Sequence, residues 1–316
     1  MMSSDTARWA RAEALGVSMP ELAAYQDEPQ QMRSGTAGKT GFLHLGFERR
    51  GCRTILANLQ RRAPYMAQRA LYFDQAMPDL AHVFLITTTG CLLQGDRLTL
   101  DIALGPRAQA HVTSQSATKV HSMDANYAVQ VQTITLEDDA YLEFLPDPLI
   151  PHRHARFVSD TQITIAPSAT LLCSEIVQSG RKHYRSSECF GATMISLATA
   201  AARPEGPRLF VEKLLIDPQR YVMRQTGVMG PFDVLGNVIV CTPKNHADRI
   251  LERLTADVDL TTGVAFGACR LPHDAGLIYK ILGCETAQVK AKVRELWGVV
   301  REEVVGARLS PPFLWR

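Results

Sequence analysis

Between residues 42 and 241 apolar and polar side chains alternate with a period of two, the spacing that places every second side chain on one face of a strand. The alternation predicts strands over 42–49, 52–60, 82–89, 97–104, 108–115, 127–136, 155–165, 170–178, 189–200, 207–216 and 234–241. Inside this stretch one pattern recurs about every 30 residues. Ile102, Leu104, Ala108, Ala110 and Val112 alternate around Gly105-Pro106-Arg107. Ile134, Leu136, Ala140, Leu142 and Phe144 repeat the offsets around Glu137-Asp138-Asp139, and Ile163, Ile165, Ala169, Leu171 and Cys173 around Ala166-Pro167-Ser168. Each copy reads as strand, three-residue turn, strand, and Ile195 with Leu197 is placed to begin a fourth.

Stacked copies would give a mainly β protein of β-helical, solenoid-like layers of antiparallel hairpins, with two α-helices in the second half of the chain. Ala108, Ala140 and Ala169 would then share one column, since a small side chain admits the next layer closely. An ordinary antiparallel sandwich produces the same alternation. A polar segment follows each copy, at 114–119, 145–151 and 175–188, so stacking would gather these segments on one polar edge.

The period changes late in the chain. Asn245 can cap a helix carrying Ile250, Leu251 and Leu254 on one face. A second helix over 286–304 has an apolar stripe of Val289, Val293, Leu296, Trp297, Val300 and Val304, with Lys290, Arg294, Arg301 and Glu302 away from it. Such a stripe suits packing on a sheet or a partner surface. Residues 1–41 read as a mobile tail with a short helix over 7–15, which leaves 42–316 as a single β-rich domain.

Composition narrows the function classes. A net charge of +2 over 316 residues implies no strong field for nucleic acid or a membrane surface. No apolar run of about 18 residues spans a bilayer and the start of the chain has no signal-like apolar core, so a cytoplasmic protein is expected. Seven cysteines without a CxxC pair lie mostly within apolar strands and read as reduced core residues, not as disulfides or a zinc site.

Common catalytic motifs fail on spacing. Gly38-Lys39-Thr40 ends like a phosphate loop, but Arg33 stands where the leading glycine is needed and a strand follows where a helix should. No GxGxxG, GxSxG or HExxH occurs. His152 and His154, two apart on an expected strand, could face one side and bind a metal near Asp147, or be exposed at a strand end. His111 and His121 read as hydrogen-bonded histidines.

The carboxylates carry more. Asp96 closes a glycine-flanked loop, Asp147 lies between Pro146 and Pro148, and Glu175 and Glu188 bracket Gly180-Arg181. Spaced carboxylates and water hold a divalent ion loosely, whereas tight storage needs clustered His and Cys. The structural alternative is that Asp96 caps a turn or pairs with Arg97 and that Asp147 makes an Asx turn.

At these residues the chain resembles the UreD (UreH) family of urease accessory proteins. The similar pieces run from Thr87-Thr88-Thr89-Gly90 to Gly95-Asp96-Arg97-Leu98, through Thr113-Ser114-Gln115-Ser116-Ala117-Thr118-Lys119-Val120, over 142–157 with Leu145-Pro146-Asp147-Pro148, and over 171–181 ending Gly180-Arg181. With the final helix the similarity covers 42–305. The resemblance implies a β-rich helical stack with two helices. It also implies a scaffold without catalytic activity that recruits UreF and the GTPase UreG, docks on the urease apoprotein and passes Ni²⁺ toward its active site. No cofactor is expected to be tightly bound; Ni²⁺ is transient cargo. Asp96, Asp147 and Glu188 match acidic positions associated in the family with an internal nickel path, with His152, His154 and Glu175 as further candidate contacts. Gly90, Gly95, Arg97, Gln115, Lys119, Pro146, Pro148, Gly180 and Arg181 are motif positions with a structural part.

This chain departs from the family pattern twice. The family has two glycines where Gly90-Cys91 stands, and the segment from Gly180 to Glu188 is longer by two residues and lacks a second glycine. From another class, a stand-alone β-solenoid hydrolase could use Asp96, Asp147 and Glu188 as acid and base on the stacked edge.

Overall fold

A computed structural model describes residues 4–26, 40–180, 191–192 and 194–311. The strands in chain order are β1 (Thr40–Arg50), β2 (Arg53–Arg62), β3 (Tyr65–Met66), β4 (Ala81–Thr87), β5 (Arg97–Leu104) and β6 (Gln109–Ser114). Then come β7 (Thr118–Val120), β8 (Ala128–Leu136), β9 (Tyr141–Phe144), β10 (Leu149–Pro151), β11 (Arg156–Ile165) and β12 (Thr170–Gln178). The last are β13 (Met194–Ala202), β14 (Arg208–Ile216), β15 (Val234–Cys241), β16 (Asp257–Asp259), β17 (Val264–Arg270) and β18 (Gly276–Gly283). The helices are α1 (Ser4–Ala14), α2 (Lys244–Arg253) and α3 (Thr286–Val305).

The strands form two open sheets. A seven-stranded sheet has the order β14-β13-β11-β8-β5-β1-β2, and an eleven-stranded sheet runs β16-β17-β18-β15-β12-β9-β6-β4-β3, with β10 on β12 and β7 on β10. In the first, β1, β5, β8, β11 and β13 are mutually parallel; in the second, β4, β6, β9 and β12 are.

The repeated unit is therefore not an antiparallel hairpin. Its two strands belong to different sheets, and each pairs in parallel with the equivalent strand of the next copy. Alternation cannot tell these arrangements apart, because an inward side chain on every second residue is required by both. The spacing of the copies does appear in the register: Ile102, Ile134 and Ile163 are aligned across β5, β8 and β11. Ala108, Ala140 and Ala169 are buried in one column, linked by Tyr141 N–H to Ala108 O at 2.9 Å and Thr170 N–H to Ala140 O at 2.8 Å. In the fourth copy it is Ala201, not Ile195, that aligns with Ile163, and antiparallel β14 then ends the sheet.

Both sheets are covered on their outer faces. Val289, Val293, Leu296 and Val300 of α3 and Ala247 and Ile250 of α2 pack on Leu172, Val238, Leu277 and Ile281. This double coverage is why every residue of β9 and β15 is buried. The apolar stripe of α3 thus packs on the sheet, as one of its two readings had it. Arg301, expected away from the stripe, is 1% exposed. The helix begins with a reciprocal Glu285–Gln288 capping box and ends at Gly306 in left-handed geometry. The N-cap of α2 is Pro243, so Asn245 lies inside the helix.

Some features differ from the sequence reading. Ala12 of α1 and Leu22 of the following 3₁₀ turn pack on Tyr127, Val129 and Val158 of the seven-stranded sheet, so residues 4–26 of the expected tail are docked. Strands β16, β17 and β18 were read as no strand at all. Cys52 and Cys269, expected in the core, are exposed, while Cys173 and Cys241 are buried.

Candidate functional site

The layer between the sheets is not uniformly apolar. In register across the inner face of the seven-stranded sheet run Leu100, Gln132, Thr161, Thr199 and Glu212, and next to them Leu98, Gln130, Ser159, Leu197 and Leu214. On the facing sheet Glu175, Asn237 and Lys280 are cross-strand neighbours on β12, β15 and β18. Positions that alternation assigns to the core therefore carry amides, hydroxyls and charges. Buried polar groups are tolerated only when paired, and these largely are. Gln132 Nε2 donates to Ser159 Oγ at 3.3 Å and to Thr161 Oγ1 at 2.9 Å, and Gln130 Nε2 donates to Tyr65 Oη at 2.6 Å.

Between these walls lies a cavity of about 100 Å³, lined among others by Tyr65, Gln130, Ser159, Asp147, Glu175 and Ser114. It has room for several waters, since one needs roughly 10–15 Å³. Its carboxylate, hydroxyl and amide oxygens, beside the Cys173 thiol, suit a hard or borderline cation held weakly. Among the described residues no group of three or more His, Cys, Asp or Glu is placed to hold a metal tightly.

Two of the expected acidic residues line the cavity, with the motif positions Gln115 and Pro146. Asp147 has its backbone N–H on Ser114 Oγ at 2.8 Å, and its carboxylate accepts a hydrogen bond from Lys290 Nζ of α3 at 2.8 Å. Glu175 is half-buried on the inner wall. Desolvation lifts its carboxyl to about 7, opposed by Asn237, assisted by the Glu212 charge and opposed again by Lys280. Near neutral pH this group is therefore partly protonated, and a cation beside it would favour the ionised form.

Asp96 takes the structural alternative. It is 2% exposed and accepts a hydrogen bond from Leu93 N–H at 2.7 Å, closing a tight turn in which Gly95 adopts φ 77°. It is not among the residues that line the cavity, and its charge adds to burial in raising the Tyr65 hydroxyl. Arg97 donates to Tyr127 O at 2.7 Å and to Asn126 Oδ1 at 2.9 Å, fixing the loop before β8. Gly90 also has positive φ, and Gly180 leaves β12 with φ 110° where a Cβ would meet Pro151 O at 3.1 Å. Gln115 is exposed at the cavity mouth with Pro146; Lys119 is exposed and Pro148 buried. Glu188 and Arg181 lie outside the described residues.

His152 and His154 are not on a strand. They sit in the turn after β10, where His154 has φ 62° and the His152 ring lies 5.8 Å from that of His121. The turn removes the common face that the strand reading required. His121 Nδ1 lies 3.0 Å from Ser122 O, and His111 Nδ1 lies 2.8 Å from Glu143 Oε2, so both are hydrogen-bonded histidines.

Sequence reasoning missed a buried ion-pair knot under α3. Arg301 Nε and Nη2 each donate to Glu143 at 2.7 Å, and Nη1 donates to Asp74. Tyr141 Oη donates to Glu143 Oε1 at 2.8 Å, and Ser310 Oγ to Asp74 Oδ1 at 2.8 Å. Burial alone would raise the Glu143 carboxyl, but hydrogen bonds from His111 and Arg301 outweigh it and hold it well below the usual carboxylate range. Tyr141-x-Glu143 on the helix-facing side of β9 and Arg301 four residues after Trp297 were the available signals. Glu212, Asn237 and Lys280 were also missed.

Fold and site define a β-rich protein whose interior holds a polar cavity and a fixed charge knot, with Asp96 engaged in its turn. The family profile described as UreD urease accessory protein matches residues 39–316, and the chain belongs to that family. It is 54% identical over 306 residues to a urease accessory protein UreD of Photorhabdus laumondii, covering 97% of this chain and 95% of the relative. It is similar to a urease accessory protein UreD of Yersinia pseudotuberculosis at 53% identity, with 97% and 95% covered. A urease accessory protein UreD 2 of Brucella suis is 51% identical, with 93% of this chain and 98% of the relative covered. A member of an accessory family is a helper of urease and not an enzyme, which sets the hydrolase reading aside. No helix among the described residues is long and apolar enough to cross a membrane.

Proposed function

We propose that this chain serves urease maturation as a cytoplasmic scaffold that recruits UreF and the GTPase UreG to the urease apoprotein and passes Ni²⁺ toward the active site. The observation that carries the reading is the polar cavity inside the sandwich, with Asp147 at its mouth and Glu175 within it, in a chain of this family. A sandwich core has no stability reason to align Gln130, Gln132, Ser159 and Thr161, because an apolar layer of the same volume would avoid desolvating them. A row of oxygen donors with room for water instead lets a partly hydrated divalent cation move between weak sites.

Glu175 takes the position of main internal waypoint and Asp147 that of the entrance, while Asp96 acts on the walls through its turn. Docking of partners would involve Tyr221, Val222 and Val228, which are 53%, 70% and 40% exposed on the connection between β14 and β15. The test is co-expression of urease, UreF and UreG with this chain or with its Glu175→Gln variant, reading complex formation and urease nickel content. The expected result is an intact complex with nickel-poor urease. Normal nickel content with Glu175→Gln would remove Glu175 from the route.

A further inference from the structure

The two sheets differ in width. Asn237 Nδ2 of β15 donates to Glu212 Oε2 of β14 at 3.1 Å, and Lys280 Nζ of β18 donates to Glu212 Oε1. β14, the last strand of the seven-stranded sheet, therefore lies opposite β15 and β18, and the eleven-stranded sheet continues past it by β17 and β16. The core-facing side of that overhang is a ledge, on which Val258, Ala265 and Leu282 stand side by side and Gly267 is beside Lys280. Val258 is 68% and Leu260 69% exposed, and a Cβ on Gly267 would meet open space. Val211 on β14 is also exposed, as are Tyr221, Val222 and Val228 on the connection that leaves β14. Six of the nine exposed large apolar side chains among the described residues thus belong to the elements that bound one notch, a concentration that marks an interaction surface.

We propose that this notch takes one extended strand of a partner protein, which adds to the edge of β14 and lays its apolar side chains on the ledge of β16 and β17. The inference rests on the scaffold reading and deepens it, by giving partner binding a place and a mode.

Among the described residues β14 pairs with β13 alone, so its other edge presents main-chain N–H and C=O groups that an added strand can satisfy. β14 is nine residues long and has no proline, so nothing in its backbone blocks the addition. A strand placed there runs about 4.8 Å from β14 and about 10 Å above the ledge, the spacings of paired strands and of packed sheets. Its residues turned to the ledge are apolar, to cover Val258. Those turned outward stand beside Arg208 and Lys213, both exposed, so carboxylates at these positions complete cross-strand pairs. A second copy of this chain does not fit. Antiparallel pairing of two β14 edges brings both eleven-stranded sheets to the same side, each ledge in the space of the other. Parallel pairing turns the outer face of the second β14 to the ledge, and that face is covered by the turn Pro20–Tyr25, through Glu21 on Lys213 and Leu22 beside Leu215.

The probe is a fluorescent peptide of about eight residues alternating valine and glutamate, titrated against the full chain by polarisation, with thermal unfolding to monitor the fold. It should bind. Val258→Asp should weaken binding about tenfold, the worth of one buried valine, and Arg208→Glu should shift preference to a peptide alternating valine and lysine. Methylating the peptide amides along one edge should abolish binding and along the other leave it unchanged, because an added strand bonds through one edge only. Binding that ignores both methylation patterns, that survives Val258→Asp, or that is absent at about 1 mM peptide overturns the proposal. So does sedimentation that finds the chain alone to be a dimer dissolved by Val258→Asp, since a second copy would then fill the notch. Co-purification of the unaltered chain with urease, UreF and UreG tests the scaffold reading separately. An intact complex beside an inert peptide leaves the scaffold standing and strand addition refuted; no complex beside the expected peptide pattern does the reverse.

Discussion

Replacing Arg301 by leucine takes the cation out of a knot that water cannot enter to replace it. Arg301 is 1% exposed and Glu143 0%, so the leucine would leave one carboxylate fully buried with only His111 and Tyr141 at 2.8 Å each. Two bonds of 2.7 Å to Glu143 and the bond to Asp74 vanish together. Removing one partner of a buried pair costs about 3–5 kcal/mol, much of it the uncompensated charge that remains. For a chain of this length each kcal/mol moves the thermal midpoint by roughly 2 °C, so the loss is roughly 6–10 °C. Thermal unfolding followed by circular dichroism near neutral pH measures it. Adding Glu143→Leu should recover part of the loss, since it removes the stranded carboxylate. A loss below about 1 kcal/mol, the range of a solvated surface pair, would falsify the knot as a dry network. So would a double variant no better than the single one.

Glu175→Gln should stabilise the fold at high pH while reducing nickel delivery. Its carboxyl sits at about 7 in the fold against 4.5 unfolded, so the native state is free of penalty below 4.5 and loses stability as pH rises through 7; the glutamine gain should appear over that window in urea midpoints. Asp147→Asn breaks a half-exposed pair with Lys290 and should cost under about 1 kcal/mol, so reduced urease nickel with an unchanged melting temperature is the expected combination. His82 is held at about 4 by burial and by neighbouring His111, against 6.5 unfolded. Its stability contribution is complete above 6.5 and lost as pH falls toward 4; Glu143 adds to the loss below 4.5. A His82→Gln variant should flatten the upper part of that acid slope, and an unchanged slope would remove His82 as its source.

The candidate site was legible where a local constraint marks it. Asp147 between two prolines and Glu175 on an alternating strand were both singled out, and both line the cavity. Asp96 was marked by the same glycine-flanked loop that turns out to use it as a cap, because a carboxylate that closes a turn and one that faces a channel look alike in one dimension. His152 and His154 lie in a turn with His154 in the left-handed region, so the two-residue strand spacing that suggested a shared face does not apply. Glu212 gave no signal, since a charged residue on an alternating strand ordinarily faces water, and Lys280 lies on β18, a strand the alternation did not mark.

Strand periodicity and the near-even spacing of Ile102, Ile134 and Ile163 were enough, by themselves, to determine that the chain is mainly β, which residues face a common core and which positions of successive layers coincide. These follow from strand geometry, which is a property of neighbours along the chain. Only the tertiary structure decided that the two strands of each copy lie in opposite sheets, and that Arg301 meets Glu143 from 158 residues away. It alone also turned a polar row inward instead of toward solvent. Such choices depend on which strand supplies the next hydrogen bonds and on what covers each face, and a repeat of two records neither.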